Sequence, residues 1–227
     1  MKILICAATE PEIKPLYSAL VFENFLSENR KRYSLKEHTI DILITGVGAV
    51  FTVFFLQEVF HSEKYDFAIN AGIGGSFLKT IDLGSVVVVK SDCFGDLGIE
   101  NAYGFSTIFE SGFENPNIFP FVEGKVYGNY SLFEKYFIHL IEVEGITVNM
   151  AHGREETISM FHQKFNAVVE SMEGAAFYFV CQHFKTPCVQ LRSISNYVEK
   201  RNRNAWKIEL AIRNLNEELG KLLWNFS

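Results

Sequence analysis

The sequence lacks most features that mark secreted, membrane-spanning or nucleic-acid-binding chains. Its four cysteines, Cys6, Cys93, Cys181 and Cys188, form no Cys-x-x-Cys pair, and they sit mostly in apolar runs, so they read as reduced core thiols. Proline is scarce at five residues, and 48% of the chain is hydrophobic, which argues for packed structure with little disordered tail. No run approaches the roughly 20 apolar residues of a membrane span, and the opening KILICAA is too short for a signal segment. The sequence therefore implies a cytoplasmic protein with no membrane partner. Basic residues are outnumbered 21 to 27, giving a formal charge of -6, so nucleic acid has no electrostatic footing and is excluded as a partner.

Two classes of cofactor are also missing their signatures. The six histidines show no ligand spacing and no His-Glu-x-x-His helix, so no metal is implied. TGVGAVF and AGIGGSF carry Phe51 and Phe77 where a dinucleotide loop needs a third small residue, so no nicotinamide cofactor is expected.

What the chain does have is alternation. Residues 2–8 read as a buried strand, followed by a helix from Glu10 with Thr9 as N-cap and Glu12 at capping-box spacing. Strands follow at 31–37 and 40–45 around a turn at His38 and Thr39, then an apolar helix from Ala49 to Ser62. DFAINAG reads as a strand ending at GIGGS, and SVVVV as one buried on both faces. Residues 95–121 have no clear period and read as a long functional loop. Beyond it come strands near 146–150, 167–170 and 187–193, and helices near 154–164, 173–184 and 204–225. The pattern predicts an α/β fold over residues 1–227, a single domain with a mixed, largely parallel sheet flanked by helices. Small ligands bind beyond the carboxyl ends of such strands. That directs attention to Glu12, to Gly72–Ser76, to Ser171–Gly174 and to Arg192–Asn196.

MKILICAATEPEIKPL at the N-terminus, SMEGAAFYFV from Ser171 and RSISNYVE from Arg192 resemble the family of methylthioadenosine/adenosylhomocysteine nucleosidases and purine nucleoside phosphorylases. Within it, NAGIGGSF, FGDLGIE and SNYVEKR more closely resemble the futalosine hydrolases of menaquinone biosynthesis. The resemblance implies a nucleoside phosphorylase-like domain, a small-molecule nucleoside substrate, no cofactor and a homo-oligomer. The implied reaction is hydrolysis of the N-glycosidic bond of futalosine, releasing hypoxanthine and dehypoxanthine futalosine.

Such a reaction passes through an oxocarbenium-like sugar, so it needs a base for water, contacts for the sugar and help for the leaving purine. By resemblance, Glu12 is the water-activating carboxylate; from spacing alone it is a helix cap, and one side chain is not expected to fill both roles. Glu173 matches the carboxylate that accepts from the ribose hydroxyls, and Met172 a thioether packed on the sugar. Arg192 matches an arginine that holds the water-activating carboxylate, while Ile73, Gly74 and Gly75 match the loop passing beneath the ribose. Ile73 stands where the nucleosidases usually have Ser. Asn196 stands where adenine-cleaving relatives have Asp; an amide can donate to O6 of a 6-oxopurine and accept from its N7–H. Phosphorylases of this fold have a Gly-rich turn with a phosphate-binding Arg after the first strand, where this chain has Thr9-Glu10-Pro11-Glu12. A carboxylate there repels phosphate but can polarise water. Phe105, Phe109 and Phe113 are candidates for an aromatic substrate tail or for packing, and Arg154, Lys200, Arg201 and Arg203 for its carboxylate.

Overall fold

The computed structural model describes residues 1–102 and 104–226. Uninterrupted apolar segments form the centre of one large sheet, as buried strands require. In chain order the elements are β1 (Lys2–Ala7), α1 (Glu10–Ile13), β2 (Val21–Ser27), β3 (Arg30–Leu35), β4 (His38–Ile44), α2 (Ala49–Ser62) and β5 (Phe67–Ser76). They continue with β6 (Val86–Phe94), β7 (Gly98–Asn101), β8 (Gly104–Thr107), β9 (Val126–Tyr127), β10 (Ile141–Thr147) and α3 (Glu155–Phe165). The last four are β11 (Val169–Ser171), α4 (Gly174–His183), β12 (Cys188–Tyr197) and α5 (Ile208–Asn225).

The sheet runs β11-β10-β6-β12-β5-β1-β4-β3-β2, and β11 also pairs with β5. Five strands therefore close into a ring, with β1, β4, β3 and β2 extending from it. The run β4-β1-β5-β12 is parallel, while the β2-β3-β4 edge and the β12–β6 and β11–β5 contacts are antiparallel. Side chains of β1 alternate between two cores, as period-2 geometry dictates. Ile3 and Ile5 pack with Leu215 and Leu219 of α5; Leu4 and Cys6 pack with Leu56 and Val59 of α2 and Phe177 and Cys181 of α4. All four cysteines are buried and free. Among the described residues no helix is long and apolar enough to cross a membrane.

Several elements differ from the sequence reading. The segment 95–121 holds a two-stranded hairpin, β7–β8, whose four-residue strands lie at the surface and bury too little to leave an apolar pattern. β2 is an almost fully exposed edge strand and was invisible for the same reason. The turn after β3 falls at Lys36 and Glu37, with Lys36 at φ 53°, two residues before the expected one. β10 starts at Ile141, not near 146, and β5 continues through the glycines to Ser76 because β12 pairs with it along that length.

Candidate active site

A cavity of about 330 Å³ opens where β1, β5 and β12 end, the place an α/β sheet offers to a ligand. Seven of the eight residues singled out from the sequence line it: Glu12, Ile73, Gly74, Gly75, Met172, Glu173 and Asn196. The eighth, Arg192, lies beneath it, 1% exposed.

Glu12 sits in the single turn of α1, which the sharp exit from β1 forces into the cavity wall. Its Oε2 accepts from the Thr9 backbone N–H at 2.9 Å and the Thr9 hydroxyl at 2.8 Å. Its Oε1 accepts from the Ile73 N–H at 3.1 Å. Capping and facing the site are thus divided between the two oxygens, so the expectation that one role excludes the other is corrected. The contact at position 73 comes from the main chain, which Ile supplies as well as Ser. Gly72 makes this possible, because a Cβ there would stand 2.8 Å from Arg192 Nη1 and 3.1 Å from Glu12 Oε1.

Glu173 is the N-cap residue of α4. Its Oε1 accepts from the Gly48 N–H at 3.0 Å, and Oε2 lies 3.7 Å from Arg192 Nη2. Burial pushes its carboxyl pKa up and the nearby Glu12 charge adds to that, while the Arg192 guanidinium and the Gly48 N–H oppose it. Arg192 Nη2 also donates to Asn70 Oδ1 in a short contact. Arg192 is expected to hold Glu12, but its carboxylate partner among the described residues is Glu173: it is a buried cation between the Asn70 carboxamide and the Glu173 carboxylate, neither a surface ion pair nor the clamp on Glu12.

Asn196 owes its place to a β-bulge. The β12–β5 register shifts between Ile194 and Asn196, so Gly74 faces Ile194 and Gly75 faces Asn196; bulges re-aim side chains in this way. Ser195 Oγ donates to Asn196 Oδ1 at 2.8 Å, and Asn196 Nδ2 donates to the Tyr197 carbonyl at 3.0 Å. One N–H and one lone pair of the amide are left for a ligand. A Cβ on Gly75 would sit 3.1 Å from Asn196 Nδ2, so glycine is what allows the amide this close.

His152, Glu170 and Trp206 line the cavity without a sequence expectation to place them there. His152 and Glu170 form a buried pair in the wall. Trp206 and Arg201 line the cavity together, with the guanidinium 5.5 Å from the indole centroid. Of the four basic candidates, Arg201 alone lines the cavity, and none of Phe105, Phe109 and Phe113 does. Phe105 stacks on Phe161 and Phe109 packs edge-on against Phe121. No local signal marks His152 and Glu170, which meet only through the tertiary fold. Trp206 falls inside the helix expected near 204–225, but that helix starts at Ile208 and leaves Trp206 ahead of it.

The family model described as "Phosphorylase superfamily" matches residues 2–226. The chain belongs to the phosphorylase superfamily. Among superfamily members it is 29% identical to a futalosine hydrolase of Streptomyces coelicolor over 190 residues, covering 80% of this chain and 77% of that one. It is 24% identical to a 5'-methylthioadenosine/S-adenosylhomocysteine nucleosidase of Buchnera aphidicola over 203 residues, covering 86% and 85%. In structure it is similar to the futalosine hydrolase of Helicobacter pylori, with TM-score 0.84 at 20% identity over 100% of this chain and 98% of that one.

Proposed function

We propose that the protein is a purine nucleoside hydrolase acting on a 6-oxopurine nucleoside, with futalosine as its substrate. The observation that carries this reading is the cavity itself, where two carboxylates, Glu12 and Glu173, and the amide of Asn196 face one space. Glu12 Oε1, held by the Ile73 N–H, takes a proton from the attacking water. Glu173 accepts hydrogen bonds from the ribose hydroxyls, and its buried charge stabilises the cationic sugar as the bond to the base lengthens. Arg192 opposes the burial that raises the Glu173 pKa and holds that carboxylate in place, Met172 packs on the sugar, and Ile73, Gly74 and Gly75 run beneath it. Asn196 donates to O6 and accepts from N7–H of the departing hypoxanthine. The futalosine hydrolase of Streptomyces coelicolor at 29% identity supports this choice over the nucleosidases that cleave adenine.

The remaining parts of the reading belong with it. Residues 1–227 act as one nucleoside phosphorylase-like domain, no cofactor takes part, and four free buried thiols suit a reducing cytoplasm. The chain assembles with copies of itself through the outer face of α2, where Val50, Phe51 and Phe54 are exposed.

The test is incubation with futalosine, inosine and methylthioadenosine, with and without phosphate, scored by base and sugar released. Free hypoxanthine and a reducing sugar at a rate indifferent to phosphate are expected. A sugar 1-phosphate would mark a phosphorylase, and faster release of adenine a methylthioadenosine nucleosidase. Asn196→Asp should shift the ratio of kcat/KM for 6-oxo over 6-amino substrates downward by about 5-fold to 150-fold, the cost of an unpaired buried polar group.

A further inference from the structure

His152 and Glu170 are a hydrogen-bonded pair in the cavity wall that the reading above does not use. Their side chains are 3% and 7% exposed. Glu170 Oε1 accepts from the His152 backbone N–H at 3.0 Å, and Oε2 makes a short contact with His152 Nδ1. Because a carboxylate only accepts, Nδ1 is a nitrogen that carries a proton, and in the neutral ring Nε2 then holds the lone pair. Among the described residues Nε2 takes no hydrogen bond, while Phe161 packs against the ring with centroids 4.2 Å apart.

The sheet places this pair next to Asn196. Gly75 of β5 is paired with Glu170 on β11 from one side and with Asn196 on β12 from the other. His152, bonded to Glu170 one strand beyond Gly75, lines the same cavity as Asn196, so a purine edge held by Asn196 is in the space that both residues border. A 6-oxopurine carries O6 next to a donor, N1–H; a 6-aminopurine carries its amine next to an acceptor, N1. A histidine lone pair accepts from the first and is repelled by the second.

We propose that His152, with its tautomer fixed by Glu170, is a second specificity-determining residue that accepts from N1–H of a 6-oxopurine. This rests on the 6-oxopurine reading and adds a second reader to Asn196. Glu170 acts through the histidine and is a positioning residue.

The experiment measures kcat/KM for inosine and adenosine, which share one sugar, with wild type, His152→Phe and Glu170→Gln, each checked for a cooperative thermal transition. Wild type should favour inosine. His152→Phe should lower that preference by about 5-fold to 150-fold, the effect of losing one buried partner. Glu170→Gln should lower it further or invert it. The His152 N–H holds the amide oxygen, so the amide nitrogen faces Nδ1, donates to it and moves the ring proton to Nε2. The ring then offers a donor to N1 of adenine. A purely structural pair would reduce both substrates alike, and an unchanged ratio in both variants overturns the inference while leaving the 6-oxopurine reading intact. A wild type without preference for inosine overturns both.

Discussion

At Glu12 two oxygens of one carboxylate carry different duties, and this makes its replacement informative. In Glu12→Gln one oxygen becomes an NH2 group. Either Thr9 loses its acceptor or the site receives a donor, so the variant cannot keep both contacts. Turnover of futalosine should fall about 100-fold to 10,000-fold, the range for losing a general base. The loss in stability should stay near that of a missing helix cap, about 1 kcal/mol. A variant that retains more than roughly a tenth of the rate, with only its melting temperature lowered, would reduce Glu12 to a cap. Gly72→Ala tests the same arrangement from the other side, since its Cβ would enter the space between Arg192 and Glu12. It should lose activity while retaining a folded sheet, measured by kcat and by circular dichroism. Glu12 and Glu173 could be singled out in the sequence because each follows a strand, and Asn196 because it stands in the short recognisable segment RSISNYVE near the end of one. His152 and Glu170 were not, because β11 meets β5 only when the ring of strands closes, and no spacing along the chain encodes that contact.

The element that carries Glu173 into the cavity is the N-terminus of α4, and a buried polar cluster fixes it. Asp92 of β6 accepts from Thr147 of β10 at 3.0 Å and from Gln190 of β12 at 3.0 Å, while Thr147 Oγ1 accepts from the Ala175 N–H at 2.7 Å. Gly174 lies so close that a Cβ would stand 2.2 Å from Asp92 Oδ2. Burial pushes the Asp92 pKa up from 3.8 to about 6, against the opposing hydrogen bonds of Gln190 and Thr147. A raised carboxyl pKa means that the folded state binds the proton more tightly than the unfolded one. The stabilising effect is therefore complete below pH 3.8 and lost as pH rises through about 6. The difference corresponds to about 3 kcal/mol. Asp92→Asn removes this dependence. Its amide can still accept from Thr147, and a rotated Gln190 amide can accept from it through Oε1, which has no partner among the described residues. The variant should match or exceed wild-type stability at pH 7.5 and lose ground toward pH 4. Melting temperatures of both proteins across that range check it; a constant gap would show that Asp92 does not titrate there. The strands that build this cluster were partly legible, since β6 announces itself as SVVVV, but β10 begins five residues earlier than its apolar run suggests because Glu142 and Glu144 interrupt the pattern.

At the scale of the whole molecule the two cores on either side of β1 account for the inner faces of α2, α4 and α5, and the outer face of α2 remains. Four of its fourteen residues, Thr52, Leu56, Val59 and Phe60, are buried. On the other side Val50 is 75%, Phe51 56% and Phe54 64% exposed, with Val47 just ahead of the helix at 48%. Apolar side chains grouped in this way on one helix mark an interaction face, and the helix was legible from the sequence as apolar around much of its circumference. In the oligomer proposed above this face is the one a second molecule would cover, which the sequence of one chain cannot display. Val47 also lines the cavity, so the same face borders the site. Two consequences are expected of Phe51→Glu combined with Phe54→Glu. Placing carboxylates on this face should drive the assembly toward monomers, because each buried charge would lack a partner, and sedimentation velocity reads this directly. Activity should fall with assembly, because the cavity wall at Val47 loses its neighbour, although no residue of the catalytic set has been touched. A double variant that sediments as wild type and turns over futalosine normally would remove α2 from the interface.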